Sequence, residues 1–405
     1  MSDLAVLGGK PVRERAFTAW PVFGAREEEL ALEVLRSGHW WRYTHGEALD
    51  AGAAESAAPS KVAEFQGRFA AAHGSKYGIA CVNGTAALEV ALRALGVGNG
   101  DEVIVPPYTF IATATAPMLI GATPVFCDID ISTFNLDPAR LEAAITPRTK
   151  AIIPVHFAGL AADMGEIGAI AARHGIPVLE DAAHGHGGSW CGRPLGSIGV
   201  AATFSFQASK NMTAGEGGLI TTGNAELAEI CESLVWVGRK VGRPWYEHHR
   251  LGWNYRMTEF QAALLIAQLE RLGEQTARRQ KNGSYLSACL REIPGLLPLD
   301  VPDYATGHAW HIYVLRFDAA EFGVSREVFL KALTAEGIPA SSGYAHPLYR
   351  NPVFEGTEWA ECPASEQACR EAVWMEHRLL LGDEHDMDDI AQAVQKVWAH
   401  RRELA

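Results

Sequence analysis

The sequence lacks any uninterrupted apolar run of about 18 residues, the length a membrane-crossing helix needs. It also lacks a basic excess. Against 35 Lys and Arg stand 48 Asp and Glu, a net charge of -13, so neither nucleic acid nor an anionic membrane surface is an expected partner. The seven cysteines include no C-x-x-C pair and give no sign of a disulfide framework, so most of them read as small buried hydrophobes. The 15 histidines form no H-E-x-x-H pattern and lack flanking thiols, so no metal is expected. No G-x-G-x-x-G or G-x-x-x-x-G-K-[ST] follows a strand pattern, which removes the common nucleotide-binding modules. No basic stretch followed by an apolar run comes after Met1-Ser-Asp-Leu-Ala5, and a cytoplasmic protein is expected. Internal repeats are absent, and low complexity is confined to the alanine-rich 51–58.

What is present is a 405-residue chain, 48% hydrophobic, long enough to bury one large α/β domain and a smaller one. From Lys61 to Thr222 strand and helix patterns alternate: strand 79–82, helix 86–95, strand 102–105, helix 111–120, strand 124–128, helix 138–144, strand 151–156, helix 164–174 and strand 177–181. Such alternation predicts a largely parallel sheet flanked by helices, with ligands beyond the carboxyl ends of the strands. Residues 1–270 are read as an N-terminal segment and this large domain. Residues 271–405, with a long helix, strand 310–317, helix 326–336, strand 378–381 and a last helix 386–401, are read as a smaller α+β domain. The Gly-, Ala- and Ser-rich 46–60 reads as a surface insertion or as a lid over substrate.

Three stretches carry chemistry. Lys210 lies on a loop between a short buried strand, Ala202–Phe206, and a glycine cluster, Gly215, Gly217 and Gly218, that turns into the strand Leu219–Thr222. Val178-Leu-Glu-Asp181 is an apolar strand ending in an acid, with His184 three residues on. An aspartate at that place can hold a pyridinium nitrogen protonated. Gly78 to Leu88 reads as strand, tight turn and helix, and the helix N-terminus offers free N–H groups and a positive dipole end to a phosphate.

Phosphate cradle, aspartate and lysine, in that chain order, resemble a pyridoxal 5'-phosphate (PLP) enzyme of the aspartate-aminotransferase-like fold. The spelling narrows the likeness. Asn83-Gly-Thr-Ala-Ala-Leu88, Pro106-Pro-Tyr-Thr-Phe110, Glu180-Asp-Ala-Ala-His184, Ser205-Phe-Gln-Ala-Ser-Lys210 with Gly215-Glu-Gly-Gly218, and Gly252-Trp-Asn-Tyr-Arg-Met257 resemble the DegT/DnrJ/EryC1/StrS family of sugar aminotransferases. The resemblance runs from Leu7-Gly-Gly-Lys-Pro11 to about His377 and implies the seven-stranded mixed sheet of that fold.

It also implies roles. Lys210 would bind the cofactor aldehyde covalently and then move the proton at the reacting carbon, a chemistry for which relatives with histidine there are not equipped. Asp181 would pair with the pyridine nitrogen, and His184 would lie near the ring. Gly84, Thr85 and Ser205 would hold the phosphate, and Phe110 would stack on the ring. Asn254 would reach the phosphate of a neighbouring subunit, making a homodimer part of the mechanism. Gln207, His311, Tyr344 and His346 are the candidate substrate contacts. Glutamine at 207 and the N-terminal spelling look more like the branch holding cyclitol aminotransferases and aminohydroxybenzoate synthases. The expected activity is transfer of an amino group from glutamate or glutamine to a keto-sugar, free or nucleotide-linked, or to a keto-cyclitol. The rivals are a dehydrating or aromatising PLP enzyme and a non-catalytic sensor that keeps the fold.

Overall fold

In a computed structural model, residues 3–41, 60–244, 246–356 and 359–404 are described. The candidate lid 46–60 lies outside them except for Ser60, whose hydroxyl caps the helix that follows by accepting from the Ala63 amide. The elements run α1 (Ala25–Ser37), α2 (Lys61–Ala72), β1 (Tyr77–Cys81), α3 (Gly84–Ala94), β2 (Glu102–Val105), α4 (Ala112–Leu119), β3 (Thr123–Phe126), α5 (Pro138–Ala144), β4 (Thr149–Ile152), α6 (Met164–His174) and β5 (Leu179–Asp181). A short hairpin, β6 (Ser189–Trp190) and β7 (Arg193–Pro194), precedes β8 (Ala201–Ser205), β9 (Gly218–Thr222) and α7 (Ala225–Val235).

Two ladders, β1-β9-β8-β5 and β3-β2-β4, are joined by parallel bridges from Ile152 to Val178 and from Val155 to Asp181. Together they make the expected seven-stranded sheet, in the order β1-β9-β8-β5-β4-β2-β3. Only β9 runs against its neighbours. β2, β5, β8 and β9 are buried at every position, as strands covered by helices on both faces must be. Alternate residues feed different cores. Ile79, Cys81, Val103, Val105 and Ile220 pack against α3, α4 and α7, whereas Ala80, Ala202, Phe204 and Leu219 pack against α1, α2 and α8 (Glu259–Arg291).

β5 shows the same alternation in polar groups. Asp181 turns to one face, and Glu180, wholly buried, turns to the other, where its carboxylate accepts from the amides of Gly196, Ile198 and Gly199 at 2.7–2.8 Å. His156 completes the shell. Its Nδ1 accepts from the Ala162 amide, so Nε2 carries the proton and donates to Glu180 at 2.9 Å. Burial alone would raise the Glu180 pKa, but His156 and the amides outweigh it and leave it lowered.

α8 begins with a capping box, Thr258 with Gln261, and then runs unbroken for 33 residues. The expected boundary at 270/271 therefore falls inside one helix. Its first half packs under the sheet, and its second half enters a separate core with β10 (Leu296–Pro298), β11 (Ile312–Phe317), α10 (Arg326–Ala335), β12 (Ala372–Glu376) and α12 (Glu384–Ala399). Gly283 permits this passage, because a Cβ there would come within 2.6 Å of the Trp310 indole. Helices α9 (Ala319–Phe322) and α11 (Pro363–Glu371) complete the C-terminal part.

The strand predicted over 378–381 is displaced. The strand is β12, antiparallel to β11, and residues 377–381 form a 3-10 turn. The run Leu379-Leu-Leu381 is apolar enough for a strand, but a turn buries all three leucines at once, while Val373 and Met375 alternate into the core from β12. The N-terminal segment joins this same core through Leu4. It is fastened there by buried Glu336, which accepts from the amides of Ala5 and Val12 and from Lys396 Nζ. Among the described residues no helix is long and apolar enough to cross a membrane.

Replacing Glu180 with Ala should strand His156 and three amides in the core, at a cost of about 3 kcal/mol or more. A urea midpoint by circular dichroism unchanged from wild type would refute this.

Candidate active site

The carboxyl ends of β1, β2, β5 and β8 reach one edge of the sheet, where they line a cavity of about 1100 Å³. β1 leads into α3, whose first turn presents the amides of Gly84 and Thr85, with Asn83 capping the Ala86 amide at 2.8 Å. The end of β8 places Ser205 against that turn. A Cβ on Gly84 would lie 2.8 Å from Ser205 Cβ, so only glycine lets the hydroxyl and the helix N-terminus share one concave cradle.

β5 delivers Asp181, only 5% exposed. Its Oδ2 accepts from the Thr113 hydroxyl at 2.9 Å and its Oδ1 from the Ala183 amide at 3.2 Å. Burial raises its pKa above the usual carboxylate value, and the two donors and Lys210 only partly offset that. Lys210, half-buried on the loop after β8, makes no ion pair among the described residues. Burial pushes its ammonium down to about 8, against the support of Asp181. A buried acid and a desolvated amine thus face the same space.

His184 and His311 form one wall, with ring centroids 4.2 Å apart. Burial, with Lys210 close by, holds both well below the usual histidine range, so both rings are neutral. Asn211 Nδ2 donates to the Ala309 carbonyl, which leaves its Oδ1 to accept from His311 Nδ1 at 3.2 Å. His184 Nδ1 is buried and has no partner among the described residues. Phe110 lies at the rim with 57% of its surface exposed, an apolar face open to the cavity. Tyr344 packs edge-on against Trp374, 4.8 Å between centroids, and Gln207 lends its Oε1 to the Ser209 amide and hydroxyl.

Of the residues named from sequence, the cavity gathers Gly84, Thr85, Phe110, Asp181, His184, Ser205, Gln207, Lys210, His311 and Tyr344. Two stand apart. His346 is exposed outside the lining, its Nδ1 3.2 Å from the Pro347 carbonyl oxygen. The segment turns it away two residues after Tyr344 enters. Asn254 is exposed, outside the lining and bridged to Trp236.

Sequence reasoning missed Thr113, Trp20, Ser341 and the run Trp374–Arg378, all of which line the cavity. Thr113, in the first turn of α4, lies 3.2 Å hydroxyl to hydroxyl from Thr109 in the loop before it, so the T-x-x-x-T spacing within the Pro106–Phe110 stretch and its helix could have flagged it. Nothing local marks the others.

The arrangement fits a planar, phosphorylated pyridine aldehyde. The cradle offers unpaired donors to a phosphate, the buried acid lacks a cation, the amine is nucleophilic near neutral pH, and an exposed ring awaits a stacking partner.

Comparison with known proteins agrees with that chemistry. The model of the DegT/DnrJ/EryC1/StrS aminotransferase family matches residues 44–395. The L-glutamine:2-deoxy-scyllo-inosose aminotransferase of Streptoalloteichus tenebrarius is 40% identical over 99% of both chains. The spore coat polysaccharide biosynthesis protein SpsC of Bacillus subtilis is 39% identical over 93% of this chain and 95% of its own. Among solved structures, that of 3-amino-5-hydroxybenzoic acid synthase superimposes with a TM-score of 0.86 at 36% identity, covering 96% of this chain and all of the other.

Asp181→Asn should lower the pH at which Lys210 in cofactor-free protein is half-acylated to below about 8, since the carboxylate is what supports the ammonium. Peptide mass spectrometry across a pH series measures it, and an upward shift would contradict the assigned coupling.

Proposed function

The chain belongs to the DegT/DnrJ/EryC1/StrS aminotransferase family and is a PLP-dependent aminotransferase, and from that premise we propose that it carries an amino group from L-glutamine or glutamate to a keto-cyclitol. The observation that carries this reading is the placement of Lys210 and Asp181, unpaired with each other, in one cavity beside the Gly84–Ser205 cradle.

When bound, PLP supplies an electron sink that lets a C–H bond beside an amino group ionise. In this reading Gly84, Thr85 and Ser205 would hold its phosphate, and Phe110 would offer its ring a stacking surface. Asp181, oriented by Thr113 and Ala183, keeps a proton on the ring nitrogen, because a buried carboxylate is best satisfied by an adjacent cation. Lys210 Nζ would take the proton from the donor carbon and return it one atom away, tasks to which a pKa of about 8 suits it. The donor would leave as its 2-keto acid, and the acceptor ketone would gain the amino group, its oxygen leaving as water, by the same proton movements in reverse.

The balance of charge in the lining supports this acceptor class. The charged groups of the lining are Asp181, Lys210, Glu216, Glu376 and Arg378, and Arg378 is already paired with Glu376. That balance suits an uncharged polyol ring better than the diphosphate of a nucleotide-linked sugar. The relative from Streptoalloteichus, named for an inosose, supports the same class.

The reading extends to a homodimer. Asn254 stands on the surface three residues after Leu251, an apolar side chain 86% exposed that a second copy would cover. In this proposal Asn254 of each copy completes the other's phosphate site.

Purified protein with PLP should show a visible band that bleaches on adding glutamine. Lys210→Ala should abolish the bleaching, and a band that glutamine never bleaches would count against the proposal. With a keto-cyclitol as acceptor, mass spectrometry separates an aminated ring from a dehydrated, aromatic product, the outcome that the 3-amino-5-hydroxybenzoic acid synthase likeness would favour.

Mixing unfolded Lys210→Ala and Asn254→Ala chains and refolding them should restore activity to about a quarter of wild type, because half the dimers are hybrids with one intact site of two. Recovery of nothing beyond the separate variants would exclude a shared site.

A further inference from the structure

Arg279 is wholly buried on α8, the largest such side chain in the described protein. No carboxylate pairs with it among the described residues, and its Nε and Nη1 have no partner there. Nη2 alone is engaged, donating to His377 Nδ1 at 3.2 Å and to Gln275 Oε1 at 3.4 Å. A buried cation without a counter-charge is costly, so its retention asks for a local reason.

The reason lies in what it touches. A guanidinium can only donate, so His377 Nδ1 must accept. Nε2 of His377 then carries the proton and donates to the Ser209 carbonyl at 3.0 Å. The guanidinium carbon also lies 5.7 Å from the Trp20 ring, and Trp20 in turn stands edge-on to His377 with centroids 4.4 Å apart. Trp20 Nε1 donates to the Ala208 carbonyl at 2.9 Å. One cation thus contacts both residues that hold the two carbonyls immediately before Lys210.

We propose that Arg279 is a positioning residue for the aminotransferase reaction: through the proton it fixes on His377 and through Trp20, it holds the 207–210 loop so that Lys210 stays in the cavity. Arg279 touches none of the reacting groups. Its cation also disfavours a second proton on His377, which burial already keeps neutral. The inference rests on Lys210 being the reactive lysine, but not on the identity of donor or acceptor.

The test reads Lys210 itself, in full-length protein without cofactor. Its ammonium is faced by Asp181 from β5, by His184 and His186 from the loop after β5, by His311 next to β11 and by His377 beyond β12. The pH of half-acylation by an amine-reactive ester, read at Lys210 by mass spectrometry, is expected at about 8 in wild type. In Arg279→Met, and in His377→Phe, which keeps a ring beside Trp20 but loses the donor, the loop should loosen and water reach the amine. The midpoint should then rise toward 10.5, while Arg279→Lys, which keeps a cationic donor, should stay nearer wild type.

A midpoint that stays at about 8 in His377→Phe with a native circular dichroism spectrum overturns the proposal, and this variant decides if Arg279→Met does not fold. Because no cofactor or turnover enters, failure of the aminotransferase assignment would leave this readout intact. Conversely, a fixed midpoint would leave that assignment standing.

Discussion

The site depends on keeping one carboxylate and one ammonium in the same poorly hydrated cleft without letting them pair. Asp181 and Lys210 are each pushed toward neutrality by burial, and neither is within ion-pair distance of the other. That separation leaves the acid free to hold a ring proton and the amine free to act as nucleophile and base. Direct contact would have cancelled both properties. The neutral imidazoles of His184 and His311 fit the same constraint, since a second cation beside Lys210 would lower its pKa further and compete for Asp181.

The sheet achieves this by the period of a strand. Glu180 and Asp181 are adjacent in sequence and both buried, yet their surroundings differ because successive side chains leave opposite faces. Glu180 receives three amides and an imidazole N–H, a shell complete enough to keep it charged as structural mortar. Asp181 receives two donors and faces open space, so its remaining need for positive charge is available to a ligand. Satisfaction of hydrogen bonds, rather than burial, separates the structural acid from the chemical one.

Around this centre the chain closes from both ends. α8 runs from beneath the sheet into the C-terminal core, and the N-terminal segment and the turn after β12 both return to the lysine loop, through Trp20 and His377. The smaller C-terminal part is therefore one wall of the cavity as well as a separate core. Residues more than 150 positions from Lys210 hold the backbone beside it, which is why a loop rich in small and polar residues can present its lysine at a defined place.

Much of this was legible in the sequence alone. The alternation from Lys61 to Thr222 determined the parallel sheet, because strand and helix each impose their own period on the residues they bury. Helices 138–144 and 164–174 were readable to the residue from that alternation, Lys210, Asp181 and Gly84 from local patterns at strand ends, and Ser205 from the family resemblance. The strand at 372–376 was misread as 378–381, since three leucines in a row are apolar under either period and only their packing chose a turn. The unbroken α8, the exclusion of His346 and Asn254 from the cavity, and the contacts of Trp20, Thr113, Arg279 and His377 were decided by tertiary structure. They depend on distances between segments far apart in the chain, and such distances leave no periodic or local trace in the residues that make them.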